Sequence, residues 1–138
     1  MGTSEIYRVV EDVPEILDSL VVDLEYLGRP SYMPLFVVLA PGSELDDALK
    51  GRINDRIRAA LSARYVPNDI FVITEVPRTL SGKKLELPVK RILLGASAER
   101  VANPDSMSNP HTIAYFVAFA ERMQASEASG GPSGGATQ

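Results

Sequence analysis

Residues 77 to 84 read Pro-Arg-Thr-Leu-Ser-Gly-Lys-Lys and gather two hydroxyls, a glycine and three cations in one short stretch. That mixture suits a loop built to meet an anion. It is not a nucleotide P-loop, which needs glycine where Pro77 stands and Ser or Thr where Lys84 stands. What remains is a lysine carried on a turn, able to act as a positioned point charge on developing negative charge rather than as a base. On spacing alone, a solvated basic turn explains Lys83 as well. Lys84 adds positive field or is simply solvated.

Other chemistry is narrowed by what the chain lacks. There is no cysteine, which excludes disulfides, thiolate zinc sites and cysteine nucleophiles. His111 is the single histidine, so a Ser-His-Asp triad must use it and a multi-histidine metal site cannot form. It reads as an ordinary, partly exposed residue near the start of the last helix. The pairs Glu11-Asp12 and Asp46-Asp47 are adjacent, and successive helical residues diverge by about 100°. They therefore do not converge on one substrate and read as solvated faces that favour helix N-termini.

At 138 residues, 45% hydrophobic and 23% charged, the chain fits one soluble globular domain. It is short for an enzyme that encloses a nucleotide and a second substrate, because such pockets usually lie between domains. Fourteen Lys and Arg against 18 Asp and Glu leave a net charge of −4, which argues against a broad nucleic-acid surface. No apolar run approaches the ~20 residues of a membrane span. Met1-Gly2-Thr3-Ser4-Glu5 lacks the basic and apolar regions of a signal peptide. A cytoplasmic location, with neither nucleic acid nor membrane as partner, is the expectation.

The elements that must carry the loop follow from periodicity. Ser4 to Val13 predicts a short helix, with Ile6, Val9, Val10 and Val13 on one side and Pro14 interrupting it. Leu17 to Leu27 and Leu35 to Leu39 predict two strands, paired through a turn at Gly28-Arg29-Pro30-Ser31. Ser43 is the expected cap of the strongest helix, whose stripe is Leu45, Leu49, Ile53, Ile57, Ala60 and Leu61 and which Pro67 stops. Ile70 to Ile73 predicts a third strand, and Leu85-Glu86-Leu87 a short one after the polar loop. Pro88 suits the first turn of a helix reaching Leu94, with Gly95 just past its end. Asn109-Pro110 opens a last helix with Ile113, Phe116, Val117 and Ala120 on one side. From Ala125 to Gln138 the chain reads ASEASGGPSGGATQ, which has too little apolar surface to offset the entropy of ordering it, so a disordered Gly/Ser-rich tail is expected. The fold class is α+β: a small mixed domain over residues 1–124, with a three-stranded sheet and a short hairpin flanked by about four helices.

Thr79 to Gly95, TLSGKKLELPVKRILLG, resembles the C-terminal motif of the adenylate-forming acyl-CoA synthetases, with wording nearest their acetoacetyl branch. The family pattern Pro-x-Thr-x-Ser-Gly-Lys is matched by Pro77, Thr79, Ser81, Gly82 and Lys83. After the lysine the chain departs from the arginine-rich helix of acetyl-CoA synthetases, reading Lys84-Leu85-Glu86-Leu87-Pro88-Val89-Lys90. Met1 to Tyr7 looks like the segment after the interdomain hinge, and Asn109-Pro110 followed by a helix fits the acetoacetyl branch. The resemblance covers about residues 1–124.

It implies two half-reactions: a carboxylic acid, here acetoacetate, and MgATP give acyl-adenylate and pyrophosphate, then CoA displaces AMP. Lys83 would be the catalytic lysine that bridges the substrate carboxylate and the ribose side of the nucleotide, with Thr79, Ser81 and Gly82 shaping its loop. A large domain rotation would then present another face to CoA, with Gly2, Thr3 and Ser4 lining the pantetheine tunnel. Arg58 aligns where acetyl-CoA synthetases place an arginine for the CoA phosphate. Thr3 or Ser4 can equally be a helix cap, and Arg58 a solvated surface residue. ATP, CoA and Mg2+ would be bound mainly by an N-terminal adenylating domain, which this chain lacks together with the hinge aspartate and an upstream arginine. The chain alone is therefore expected to be inactive. Its start is compatible with an excised piece, a shortened reading frame or a separately encoded half. A lysine acyltransferase acting on Lys83 would remove its charge. The competing reading is a non-catalytic interaction module that keeps the same fold.

Overall fold

The computed structural model describes residues 3–24 and 32–130, with side chains to residue 125. The chain divides into two compact units, Met1–Val76 and Pro77–Gln138.

The first unit runs α1 (Thr3–Val10), β1 (Ile16–Val21), β2 (Pro34–Leu39), α2 (Asp47–Ala60), a 3-10 turn (Ala63–Tyr65) and β3 (Asp69–Val72). β1 and β2 pair antiparallel, Val21 opposite Leu35 and Ser19 opposite Val37. The pairing continues past the strands to a bridge between Leu24 and Tyr32. The expected turn at 28–31 lies outside the described residues. β2 and β3 are parallel, Leu35 opposite Ile70, in the strand order β1-β2-β3. A parallel neighbour requires a crossover, and α2 supplies it.

Ile6 and Val10 of α1, Leu35 and Val37 of β2, and Leu49, Ile53 and Ile57 of α2 pack into one buried cluster. Spacings of four on α2 put its three residues on one stripe. Polar contacts fix the edges of this core. The Tyr7 hydroxyl accepts from the Val21 amide at 3.2 Å. Arg52 pairs with Glu15 through both terminal guanidinium nitrogens, and Arg56 with Asp12 at 2.6 Å.

The helix caps differ from expectation. α2 starts at Asp47 rather than Ser43, because Pro41-Gly42 makes a turn there, Gly42 at φ +84°, and the amide of Ser43 bonds back to Ala40. Asp46 is the cap, its carboxylate accepting from the Leu49 amide at 2.8 Å. Leu45 consequently lies ahead of the helix and Ala60 is exposed, so the buried stripe shortens to Leu49, Ile53 and Ile57. Nor are Glu11 and Asp12 merely solvated: Glu11 accepts a 2.6 Å bond from the buried Ser19 hydroxyl, and Asp12 holds Arg56.

The second unit carries α3 (Glu86–Leu93), α4 (Ala98–Val101), 3-10 turns at Pro104–Ser106 and Pro110–Thr112, and α5 (Ile113–Gly130). Leu85-Glu86-Leu87 is not a strand; Glu86 already begins α3. Pro88 lies in the first turn of that helix, where a missing amide costs nothing, and Glu86 favours its positive end. Gly95, at φ +109°, follows its C-terminus as expected. Pro110 forms a 3-10 turn, and α5 begins three residues later. α4 has only four residues, too few for its periodicity to announce it. α5 remains helical to Gly130, so the compositional boundary at Ala125 falls inside a helix. Ala125, Glu127 and Ala128 are good helix formers, and extending an existing helix avoids the cost of nucleation. Residues 131–138 lie outside the described residues.

Candidate functional site

The loop singled out by its chemistry is a tight hairpin at the start of the second unit. Arg78 and Lys84 form an antiparallel bridge, and the Leu85 amide donates to the Pro77 carbonyl at 3.0 Å. Inside it the Thr79 amide reaches the Lys83 carbonyl at 2.8 Å, and the Gly82 amide closes a turn on the Thr79 carbonyl at 2.9 Å. Gly82 sits at φ +92°, a region that L side chains rarely adopt. Lys83 therefore leaves the turn in a direction set by a backbone bend that glycine makes accessible.

Thr79, Ser81, Gly82 and Lys83 come together. The Thr79 hydroxyl accepts from the Lys83 amide at 3.0 Å and lies 3.0 Å from the Ser81 hydroxyl. Lys83 itself is exposed, and among the described residues its ammonium meets no carboxylate. A cation held at its base and open at its head can move onto an external anion. The fixed base supplies part of the preorganisation that electrostatic stabilisation of a transition state requires.

Three further residues hold the hairpin, and sequence reasoning passed over them. The Leu80 amide donates to the Ser106 carbonyl at 2.9 Å, and the Ser108 amide to the Arg78 carbonyl at 3.1 Å. The Arg78 amide donates to Oδ1 of Asn109, a side chain only 5% exposed, at 3.0 Å. The Arg78 guanidinium turns back to the Gly82 carbonyl at 2.6 Å. The Asn109-Pro110 pair was legible as a helix opening. Its grip on a residue 31 positions earlier was not.

The remaining candidates belong to the first unit. Thr3 and Ser4 open α1, and Gly2 lies outside the described residues. Arg58, on the exposed side of α2, pairs with Asp55 at 2.8 Å. His111 is exposed on the turn before α5. A hollow of about 270 Å³ in the second unit is lined chiefly by Ala98, Ala102, Pro104, Met107, Pro110 and Ile113, whose apolar walls offer no cation for a phosphate. Among the described residues no three His, Asp or Glu side chains are grouped to hold a metal ion, and no helix is long and apolar enough to cross a membrane.

In fold and hairpin motif, the chain corresponds to the C-terminal part of adenylate-forming acyl-CoA synthetases. A solved acyl-CoA synthetase from Brucella canis matches 68% of the chain at 29% identity, with a TM-score of 0.56. Within that class its homologues are named acetoacetyl-CoA synthetases. The one from Caenorhabditis elegans is 38% identical over 120 residues, 86% of this chain and 17% of the relative. The solved acetoacetyl-CoA synthetase from Streptomyces lividans is 44% identical and superposes with a TM-score of 0.83, covering 89% of this chain and 18% of that one. The chain thus spans less than a fifth of the length of these relatives. No protein-family model matches it.

Proposed function

We propose that the chain is the C-terminal catalytic lid of an ATP-dependent acetoacetate–CoA ligase, acting with an N-terminal adenylating domain. The observation that carries this reading is Lys83: exposed, without a carboxylate partner among the described residues, and mounted on a hairpin whose Pro77, Thr79, Ser81 and Gly82 match the motif of the class.

In the first half-reaction a carboxylate oxygen of the acid attacks the α-phosphorus of ATP, and the bond to pyrophosphate breaks. Two anions must approach each other. The Lys83 ammonium, placed between the carboxylate and the ribose side of the nucleotide, offsets that repulsion and the charge that develops on the phosphoryl oxygens. Thr79 and Ser81 keep the hairpin's shape, and Gly82 lets its backbone approach closely. Mg2+ accompanies ATP, and among the described residues no group of carboxylates is placed to hold it.

In the second half-reaction the CoA thiol attacks the acyl carbon, the bond to AMP breaks, and the thiol proton is released. Gly2, Thr3 and Ser4 would line the pantetheine path, and Arg58 would meet a CoA phosphate. Arg58 is suited to this because its pairing with Asp55 is a surface contact that a phosphate can replace at little cost. Acylation of Lys83 would silence the first step by removing its charge.

The test is a graft. This chain replaces the matching segment of the Streptomyces lividans enzyme, and acetoacetate-dependent pyrophosphate release is measured. Lys83→Ala should lower the rate about 100- to 1,000-fold, as loss of one transition-state donor does. Equal rates for the two grafts would rule out the assigned role.

A further inference from the structure

We propose that Arg78 is a positioning residue for Lys83: it clamps the peptide bond joining Gly82 to Lys83, with Asn109 as its anchor. The proposal rests on the role just given to Lys83 and extends it to Arg78, which occupies an unspecified position of the Pro-x-Thr-x-Ser-Gly-Lys pattern.

Nothing lies within 4 Å of the place where a Cβ on Gly82 would point, so no steric wall fixes the backbone there. Glycine also has the widest choice of backbone angles. Two side chains supply the missing restraint, one at each end of the same peptide plane. Its carbonyl oxygen accepts from the Arg78 guanidinium at 2.6 Å, and its N–H donates to the Thr79 hydroxyl at 3.0 Å. The guanidinium bond is charge-assisted, which makes it the stronger of the two. With both ends held, the peptide cannot swing and the Lys83 side chain starts from one direction.

Arg78 can act as a clamp because its own backbone is fixed from outside the hairpin. Its amide is bound by the buried Asn109 side chain, and its carbonyl by the Ser108 amide. The reference frame for Lys83 is therefore the segment leading into α5, not the hairpin alone. A displacement of the lysine head by roughly 1 Å is expected to cost on the order of 100-fold in rate.

In the grafted ligase, Arg78→Ala should lower kcat for pyrophosphate formation roughly 10- to 100-fold, with KM values for acid and ATP nearly unchanged. Thioester formation from preformed acyl-adenylate should keep its rate. Arg78→Lys, which retains a charged donor, should recover part of the loss. In the chain by itself, deuterium exchange at the Lys83 amide should accelerate in Arg78→Ala while the melting temperature stays constant. Unchanged exchange overturns the clamp, even if kcat falls, because the charge alone would then be acting. Faster exchange with unchanged kcat overturns the positioning role. If Lys83→Ala also leaves kcat unchanged, the function proposed for the lysine fails, and amide exchange still decides whether Arg78 clamps the peptide.

Discussion

The core of the first unit and the hairpin of the second are held in different ways, although the second unit also buries apolar residues such as Val89, Ile92 and Phe116. In Met1–Val76 a sheet and two helices enclose an apolar cluster, and charged pairs such as Arg52 with Glu15 sit only at its margin. In Pro77–Gln138 the hairpin that carries Lys83 is shaped by hydrogen bonds, most of them to backbone groups, with Thr79, Arg78 and Asn109 supplying the side-chain members. Apolar packing tolerates small shifts and resists loss of volume. A hydrogen-bonded loop does the opposite: little stability depends on any one bond, but the direction of the lysine does.

That contrast can be tested first where its effect is largest. Ile53→Ala, at a fully buried position on α2, should destabilise the first unit by about 2–5 kcal/mol, because it removes buried methylenes and leaves a cavity. Urea denaturation followed by circular dichroism checks this. A loss near zero would mean that the cluster is not the unit's core. Gly82→Ala should cost less, about 1 kcal/mol, since the added methyl meets open space and only the positive φ is penalised. Its effect on adenylation should exceed its effect on the denaturation midpoint. The reverse ranking would erase the distinction between core and hairpin.

The smallest effect belongs to the margin. The Arg52 guanidinium, by hydrogen bonding, holds the Glu15 carboxyl below its ordinary range. The sign follows directly: a depressed folded value adds stability above the unfolded value, about 4.3 for Glu, and that stability is lost as pH falls through the folded one. Melting temperatures of the parent and Glu15→Gln should therefore differ slightly near neutral pH and converge as the pH falls below the ordinary glutamate range. A gap that persists in acid would show that Glu15 acts through packing rather than charge.

Much of the frame was legible because it is local. The β-branched run Val37-Val38, bounded by Pro34 and Pro41-Gly42, marked β2, and Leu49, Ile53 and Ile57 marked the buried side of α2. Capping is ambiguous in the sequence because Ser43 and Asp46 are both good caps by type. The choice went to Asp46 once the Gly42 turn had used the chain around Ser43. The strand expected at Leu85 to Leu87 failed because three alternating residues cannot outweigh a proline three positions in, favourable to a helix start.

The sequence by itself determined the chemistry of the hairpin. Cysteine is absent and histidine nearly so, and Thr79, Ser81, Gly82 and Lys83 lie close enough along the chain to build a turn around a cation. Only the tertiary structure decided what aims that cation. Asn109 reaches Arg78 across 31 residues, and Arg78 returns to the Gly82 carbonyl. Such contacts leave no periodic signature, since a hydrogen bond between distant residues depends on where packing brings their backbones.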